Sequence, residues 1–172
     1  MAKAIMLVDN FNDNVQDLTK WFSTTDDRVR EVNGRVELRP PSNQAGTFGY
    51  VSPAIWDFTE SAVHLEVIRT LRASPSAFTW LGVFVDSANY ILIRELNGQL
   101  ECIKVVAGTL TRLRAVPYDR VAHRWLRLSE QGGITFWQVS SDGVDWTTLY
   151  QAPDPIVLTT VLIEFGVWVT AP

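Results

Sequence analysis

The chain has 172 residues, 47% of them hydrophobic, including seven Trp and eight Phe. That is enough for one domain, over residues 1–172, to bury a core without covalent staples. A formal charge of −4 with scattered Lys and Arg excludes the clustered basic footprint of a nucleic-acid binder. No segment approaches the ~20 apolar residues of a helical membrane span.

Near the start, Ile5–Val8 reads as a short strand, and Asp9, Asn10, Asn12 and Asp13 follow as an oxygen-rich cluster. The cluster lacks the regular ligand spacing of a calcium loop. Asx turns explain it equally well, so calcium binding at Asp9–Asp13 stays open. Asn14–Phe22 is the one stretch with a briefly helical look. Asn33-Gly34 then lies between VREV and RVELR. As a two-residue hairpin loop it sets Val32 against Arg35 and Arg30 against Glu37. Pro40-Pro41 and the following Ser-Asn-Gln-Ala-Gly form a loop, and Ala62–Leu71 a strand.

After the Ser74-Pro75-Ser76 loop, Phe78–Val85 and Tyr90–Ile93 are apolar on both faces. That pattern suits central strands partly covered on each side. Asn97-Gly98 joins YILIREL to QLECIKV and sets Leu96 against Gln99 and Arg94 against Glu101. Both Asn-Gly registers put opposite charges directly across from each other, the favourable cross-strand arrangement. Cys102, the single cysteine, excludes an internal disulfide or a multi-cysteine metal site and reads as a small buried side chain. Leu110–Val116 is the next strand.

Tyr118–Tyr150 reads as three antiparallel strands with turns at Gly132-Gly133 and Asp142-Gly143. The first turn pairs Leu128 with Trp137 and Leu126 with Val139; the second pairs Val139 with Trp146 and Trp137 with Thr148. One face collects Leu126, Leu128, Trp137, Val139 and Trp146 as core. The other collects Trp125, Arg127, Phe136, Gln138 and Thr147. Aromatic, guanidinium, amide and hydroxyl groups of that kind can stack on sugar rings and bond their hydroxyls. An ordinary outer face, with Arg127 over a ring, is the alternative. After a loop at Ala152-Pro153-Asp154-Pro155, Val161–Val169 closes the chain and is expected to pair with the first strand.

About a dozen antiparallel strands without helices must close as a barrel or stack as two sheets. The expected fold is all-β, a two-sheet antiparallel jelly-roll sandwich. HRWLRL, the Gly-Gly turn, SSDGVDW, the opening DNFN with Trp21, and VSPAIWDFTESAVHLEVI resemble the concanavalin A-like lectin/glucanase (laminin G-like) family. They are similar to lectin-like modules of actinobacteria and of minor tail or other virion proteins of their phages. The resemblance covers nearly the whole chain, and its shared residues are chiefly structural.

Glucanases of this family carry Glu-x-Asp-x-x-Glu or similar on one strand, because hydrolysis needs carboxyls ~5–9 Å apart. No strand here has that pattern. Glu66 stands alone, Glu101 is matched to Arg94, and Glu164 is isolated on the last strand, so no enzyme is expected. His64 and His123 lack zinc spacing, and neither metal nor cofactor is expected. The resemblance implies a non-enzymatic virion protein of a tail or capsid surface. Its expected partners are other virion proteins, a second copy of itself or a cell-surface glycan, without nucleic acid or membrane insertion. A free-standing carbohydrate-binding protein is the alternative. The glycan- or partner-binding face would be Trp125, Arg127, Gln138 and Thr147. The apolar run of MAKAIMLVDNF is too short for a signal peptide, so synthesis in the host cytoplasm and release within the virion are expected.

Overall fold

A computed structural model of the chain describes all residues except 25–27, 42–43, 54, 72–75 and 171–172. The Ser74-Pro75 and Ser42-Asn43 parts of the expected loops therefore lie outside the described residues. Among the described residues, thirteen strands follow one 3-10 turn at Ala4–Met6. They are β1 (Phe22–Ser23), β2 (Val29–Glu31), β3 (Val36–Leu38), β4 (Gly46–Val51), β5 (Ala62–Glu66), β6 (Phe78–Asp86) and β7 (Asn89–Leu96). The remainder are β8 (Gln99–Val106), β9 (Thr109–Pro117), β10 (Trp125–Gln131), β11 (Ile134–Ser140), β12 (Thr147–Pro153) and β13 (Leu162–Val169).

The turn dipeptides set the registers. Both central residues have positive φ at Asn33-Gly34, Asn97-Gly98 and Gly132-Gly133, the twist that matches a right-handed hairpin. Arg30 pairs with Glu37, Arg94 with Glu101, Leu128 with Trp137 and Leu126 with Val139, all as the sequence implies. Nearby carboxylates hold two of these turns. Glu95 accepts the Gly98 N–H at 2.8 Å, and Glu130 accepts the Gly133 N–H at 2.6 Å.

All pairings between strands are antiparallel, in a seven-stranded sheet of order β1-β4-β13-β6-β7-β8-β9 and a four-stranded sheet of order β12-β11-β10-β5. A two-stranded hairpin, β2-β3, stands apart from both. Between the sheets, Leu81, Val83, Ile91, Ile93, Leu100 and Cys102 meet Val63, Leu126, Leu128, Trp137 and Val139 in one buried cluster. The small sheet has fewer strands than the large one. The inner face of β4 and β13 is lined by an aromatic group joining Tyr50 and Phe165 to Phe11 and Trp21, ring centroids 5.2–6.2 Å apart. Cys102 lies fully buried in the core, and burial pushes its thiol up to about 12. It should stay unreactive toward an aromatic disulfide reagent in native protein and react stoichiometrically once urea unfolds the chain. Fast native labelling would contradict this packing.

Four expectations are corrected. Ile5–Val8 is no strand: Ala4–Met6 forms a 3-10 turn, tied down where the Ala4 N–H donates to the Asp57 carbonyl at 2.9 Å. Asn14–Phe22 holds a single turn closed by Asp17 before β1 begins, not a helix. The last strand pairs with β4 and β6 in the sheet interior, not with β1. The Asp142-Gly143 segment is a longer loop, and the β11–β12 register shifts between Trp137 and Gln138. Val139 therefore pairs with Thr147, and Trp137 with Tyr150.

Candidate functional site

Alternation along a strand sends every second side chain away from the core. On the large sheet, the register aligns the outward positions in rows running across the strands. One row is Gly49, Gly166, Trp80, Arg94 and Glu101; the next is Val51, Glu164, Gly82, Leu92, Ile103 and Arg112. Trp168 and Phe78 pair on one side of these rows, and Phe84 and Tyr90 on the other.

This outer face is unusually apolar. Trp80, Leu92, Ile103 and Val105 are at most 5% exposed and pack with Phe78, Phe84, Tyr90 and Trp168. Every member of that cluster belongs to the large sheet itself, so the rings bury the aliphatic side chains and one another. Glycines make room for them. A Cβ at Gly82 would lie 2.5 Å from the Phe84 ring, and one at Gly166 would lie 3.1 Å from the Trp80 ring. The rings therefore lie down over the sheet. Phe84 and Tyr90 stack at 4.7 Å, and Arg94 covers Phe78 at 5.0 Å.

Two polar groups on this face lack partners among the described residues. The Trp80 indole N–H is buried with no acceptor, which costs about 1–3 kcal/mol in a closed core. Glu164 is half-buried between the Trp80 and Phe84 rows, and burial raises its pKa above the ordinary carboxylate value. Glu101 differs. It is 3% exposed and clamped by Arg94 at 2.8 Å and Arg112 at 2.9 Å. It stands three strands from Glu164, roughly 14 Å at the usual strand spacing. That is beyond the ~5–9.5 Å at which two carboxylates flank a glycosidic bond.

The sequence-predicted face is the outer face of the small sheet. Register puts Arg127 beside His64 and Gln138, and Trp125 beside Glu66. Thr147 does not join them, because the shifted register gives its place to Thr148, whose hydroxyl accepts from Gln138 Nε2 at 3.2 Å. Trp146 leaves the predicted core for this face, where the Arg127 guanidinium carbon lies 5.1 Å from its ring. His123 accepts the Asp119 backbone N–H through Nδ1 at 3.1 Å, a loop-closing role. The Asp9–Asp13 oxygens form Asx turns, with Asp9 also accepting the Trp21 indole N–H at 3.1 Å.

No family model and no curated protein matches the chain. Solved structures do match its fold. A prokaryotic β-1,3-1,4-glucanase (lichenase) derived from a mouse hindgut metagenome superposes with TM-score 0.65 at 10% identity, over 93% of this chain and 84% of that one. A Bacillus licheniformis β-glucanase gives 0.63 at 12% identity, over 90% and 81%. A glycoside hydrolase family protein from Mycobacterium thermorestibile gives 0.62 at 13% identity, over 95% and 89%. The likeness shows the fold, a jelly-roll sandwich of the kind found in carbohydrate-active proteins; a link to phage virions is not shown by it.

The expectation that the chain is no enzyme is corrected by these likenesses. The matched structures are described as glucanases and glycoside hydrolases, so the fold is one that carries hydrolysis in those proteins. The face carrying Glu164 also escaped the sequence reading. Its signal was present in Phe78, Trp80, Gly82 and Phe84, which alternate with core residues along one strand.

Proposed function

We propose that the chain is a carbohydrate-active β-sandwich that takes an extended saccharide across the outer face of the large sheet. The observation that carries this reading is half-buried Glu164, without a partner among the described residues, on an aromatic face beside buried Trp80. Sugar rings present C–H faces that lie against aromatic rings, and hydroxyls that both donate and accept. Trp168 and Tyr90 supply the rings, while Glu164 supplies the polar contact that fixes orientation. Glu164 is the carboxylate set to act on a bound chain, since burial raises its pKa and a carboxyl shifted in that direction is suited to donate to a glycosidic oxygen. The likeness to a lichenase and a β-glucanase supports this substrate class.

The test is electrophoresis through gels containing soluble mixed-linkage β-glucan, with reducing ends measured in parallel. Wild-type protein should be retarded, and Trp168→Ala should weaken retention about tenfold while melting like wild type, because that ring is half-exposed. Glucan hydrolysis that disappears in Glu164→Gln assigns catalysis to that carboxyl. Retention without hydrolysis assigns a binding module. Migration unaffected by the glucan, or equal retention of Trp168→Ala, would overturn the reading.

A further inference from the structure

The outer face of the small sheet carries an arrangement that saccharide binding on the large sheet does not use. Its centre is Arg127, whose guanidinium carbon lies over the Trp146 ring, 5.1 Å from the centroid. His64 is its neighbour across the β5–β10 pair, with its ring 5.8 Å from both Trp125 and Trp146. Stacking covers the face of a guanidinium and leaves its in-plane N–H donors to find acceptors elsewhere. Among the described residues, no carboxylate pairs with Arg127, and its Nε is buried without an acceptor.

Two acids in the segments flanking Trp125 are already engaged. Glu66 accepts from Arg124 at 2.6 Å. Asp142 accepts from the Ser140 hydroxyl at 2.8 Å and from the backbone N–H groups of Val144 and Asp145 at 2.8 and 2.9 Å. On a protein of net charge −4, Arg127 is a cation without an acidic partner among the described residues, set among indoles. A polar ladder lies alongside it: the Ser129 hydroxyl donates to Gln138 Oε1 at 2.9 Å, and Gln138 Nε2 donates to Thr148 at 3.2 Å.

We propose that this face binds a uronic-acid residue of an acidic polysaccharide, its carboxylate held by the Arg127 fork beside His64 and its ring lying against Trp125. A planar carboxylate matches the fork and takes two parallel hydrogen bonds from it, giving the guanidinium the acceptor it lacks. The sugar ring supplies an apolar face for the indole, and its hydroxyls reach the Gln138–Thr148 ladder. This site lies on the opposite sheet from the Glu164 face and is independent of it.

Affinity electrophoresis with polygalacturonate, its fully methyl-esterified form and dextran sulfate tests the proposal at about 0.1 M salt, where distant charges are screened. Polygalacturonate should retard the protein, and methyl esterification should abolish the effect. Arg127→Gln should weaken retention about tenfold or more, and Arg127→Lys should recover only part of it, since an ammonium cannot fork. Should Arg127→Gln melt early, Trp125→Ala decides, with loss of retention expected. Trp168→Ala should bind polygalacturonate as wild type does, which separates this site from the large-sheet face. Equal retention by the ester, retention by dextran sulfate as strong as by polygalacturonate, or unchanged binding in the folded variants would overturn the proposal.

Discussion

Trp137→Ala should lower the unfolding free energy by about 3–5 kcal/mol, the range for emptying a large aromatic site in a packed core. Trp137 is fully buried on β11, meets Tyr150 edge-on at 5.8 Å, and donates its indole N–H to the Leu92 carbonyl at 3.0 Å. Leu92 lies on β7, so the hydrogen bond runs from the small sheet across the core to the large one. Truncation removes the ring, leaves a cavity between the sheets and strips that carbonyl of its indole donor. Trp137→Phe keeps most of the volume and loses only the donor, for about 1 kcal/mol. Urea unfolding followed by circular dichroism separates the two. A loss below about 1.5 kcal/mol for Trp137→Ala would mean that the core collapses around the site, against the packing described.

A second large effect follows from Glu31, which lies 7% exposed on the β2–β3 hairpin. It accepts a hydrogen bond from the Tyr50 hydroxyl at 3.3 Å, while its other carboxylate oxygen is buried without a partner among the described residues. Burial first, and the negative charge of Asp9 next, push its pKa from 4.5 up to about 7. The Tyr50 hydroxyl is raised in turn, by its own burial and then by Glu31. Because the folded-state pKa of Glu31 is the higher one, the native state binds more protons than the unfolded chain between about pH 4.5 and 7. Stability contributed by this group is therefore full below that window and falls as pH rises through it. The total is about 3 kcal/mol if the whole shift is realised.

Glu31→Gln should flatten that slope, so that wild type and variant differ most above pH 7 and the variant is the more stable there. Melting temperatures of both proteins from pH 4 to 8 test it, the difference curve cancelling the remaining titrating groups. Parallel curves would show that Glu31 titrates normally and that water reaches its second oxygen. Glu31 also lines a cleft of about 250 Å³ with Asn14, Gln16, Arg30 and Tyr50.

Local chemistry made much of the fold legible. Asn33-Gly34, Asn97-Gly98 and Gly132-Gly133 carry their conformation in their side chains, or in the lack of one, so their registers follow without knowledge of anything distant. The β8–β9 turn was not legible, because Ala107 takes a positive φ of 49° that alanine does not favour. There the Asn89 side chain accepts the Ala107 N–H at 3.0 Å, across eighteen residues of sequence. Asp142-Gly143 misled for the opposite reason. It looks like a two-residue turn, but Asp142 and Ser140 bind the backbone of a wider loop, with Trp125 packed where a Gly143 Cβ would be. The one-residue difference moved Trp146 to the surface and exchanged Thr147 for Thr148 beside Gln138.

The sequence by itself determined an all-β sandwich, the Asn-Gly and Gly-Gly registers, the buried cysteine, and a small-sheet face centred on Trp125, Arg127 and Gln138. Each rests on interactions between residues close in the chain or on strand alternation. Only the tertiary structure decided that Glu164 stands beside Trp80 and Gly82, that Glu101 is clamped away from it, and that Glu31 meets Tyr50 and Asp9. Those neighbours come from β13 inserting between β4 and β6 and from the N-terminal segment folding over the large sheet. The strand that joins Glu164 to its aromatic face is about eighty residues away in sequence, and no local preference encodes which strands lie side by side.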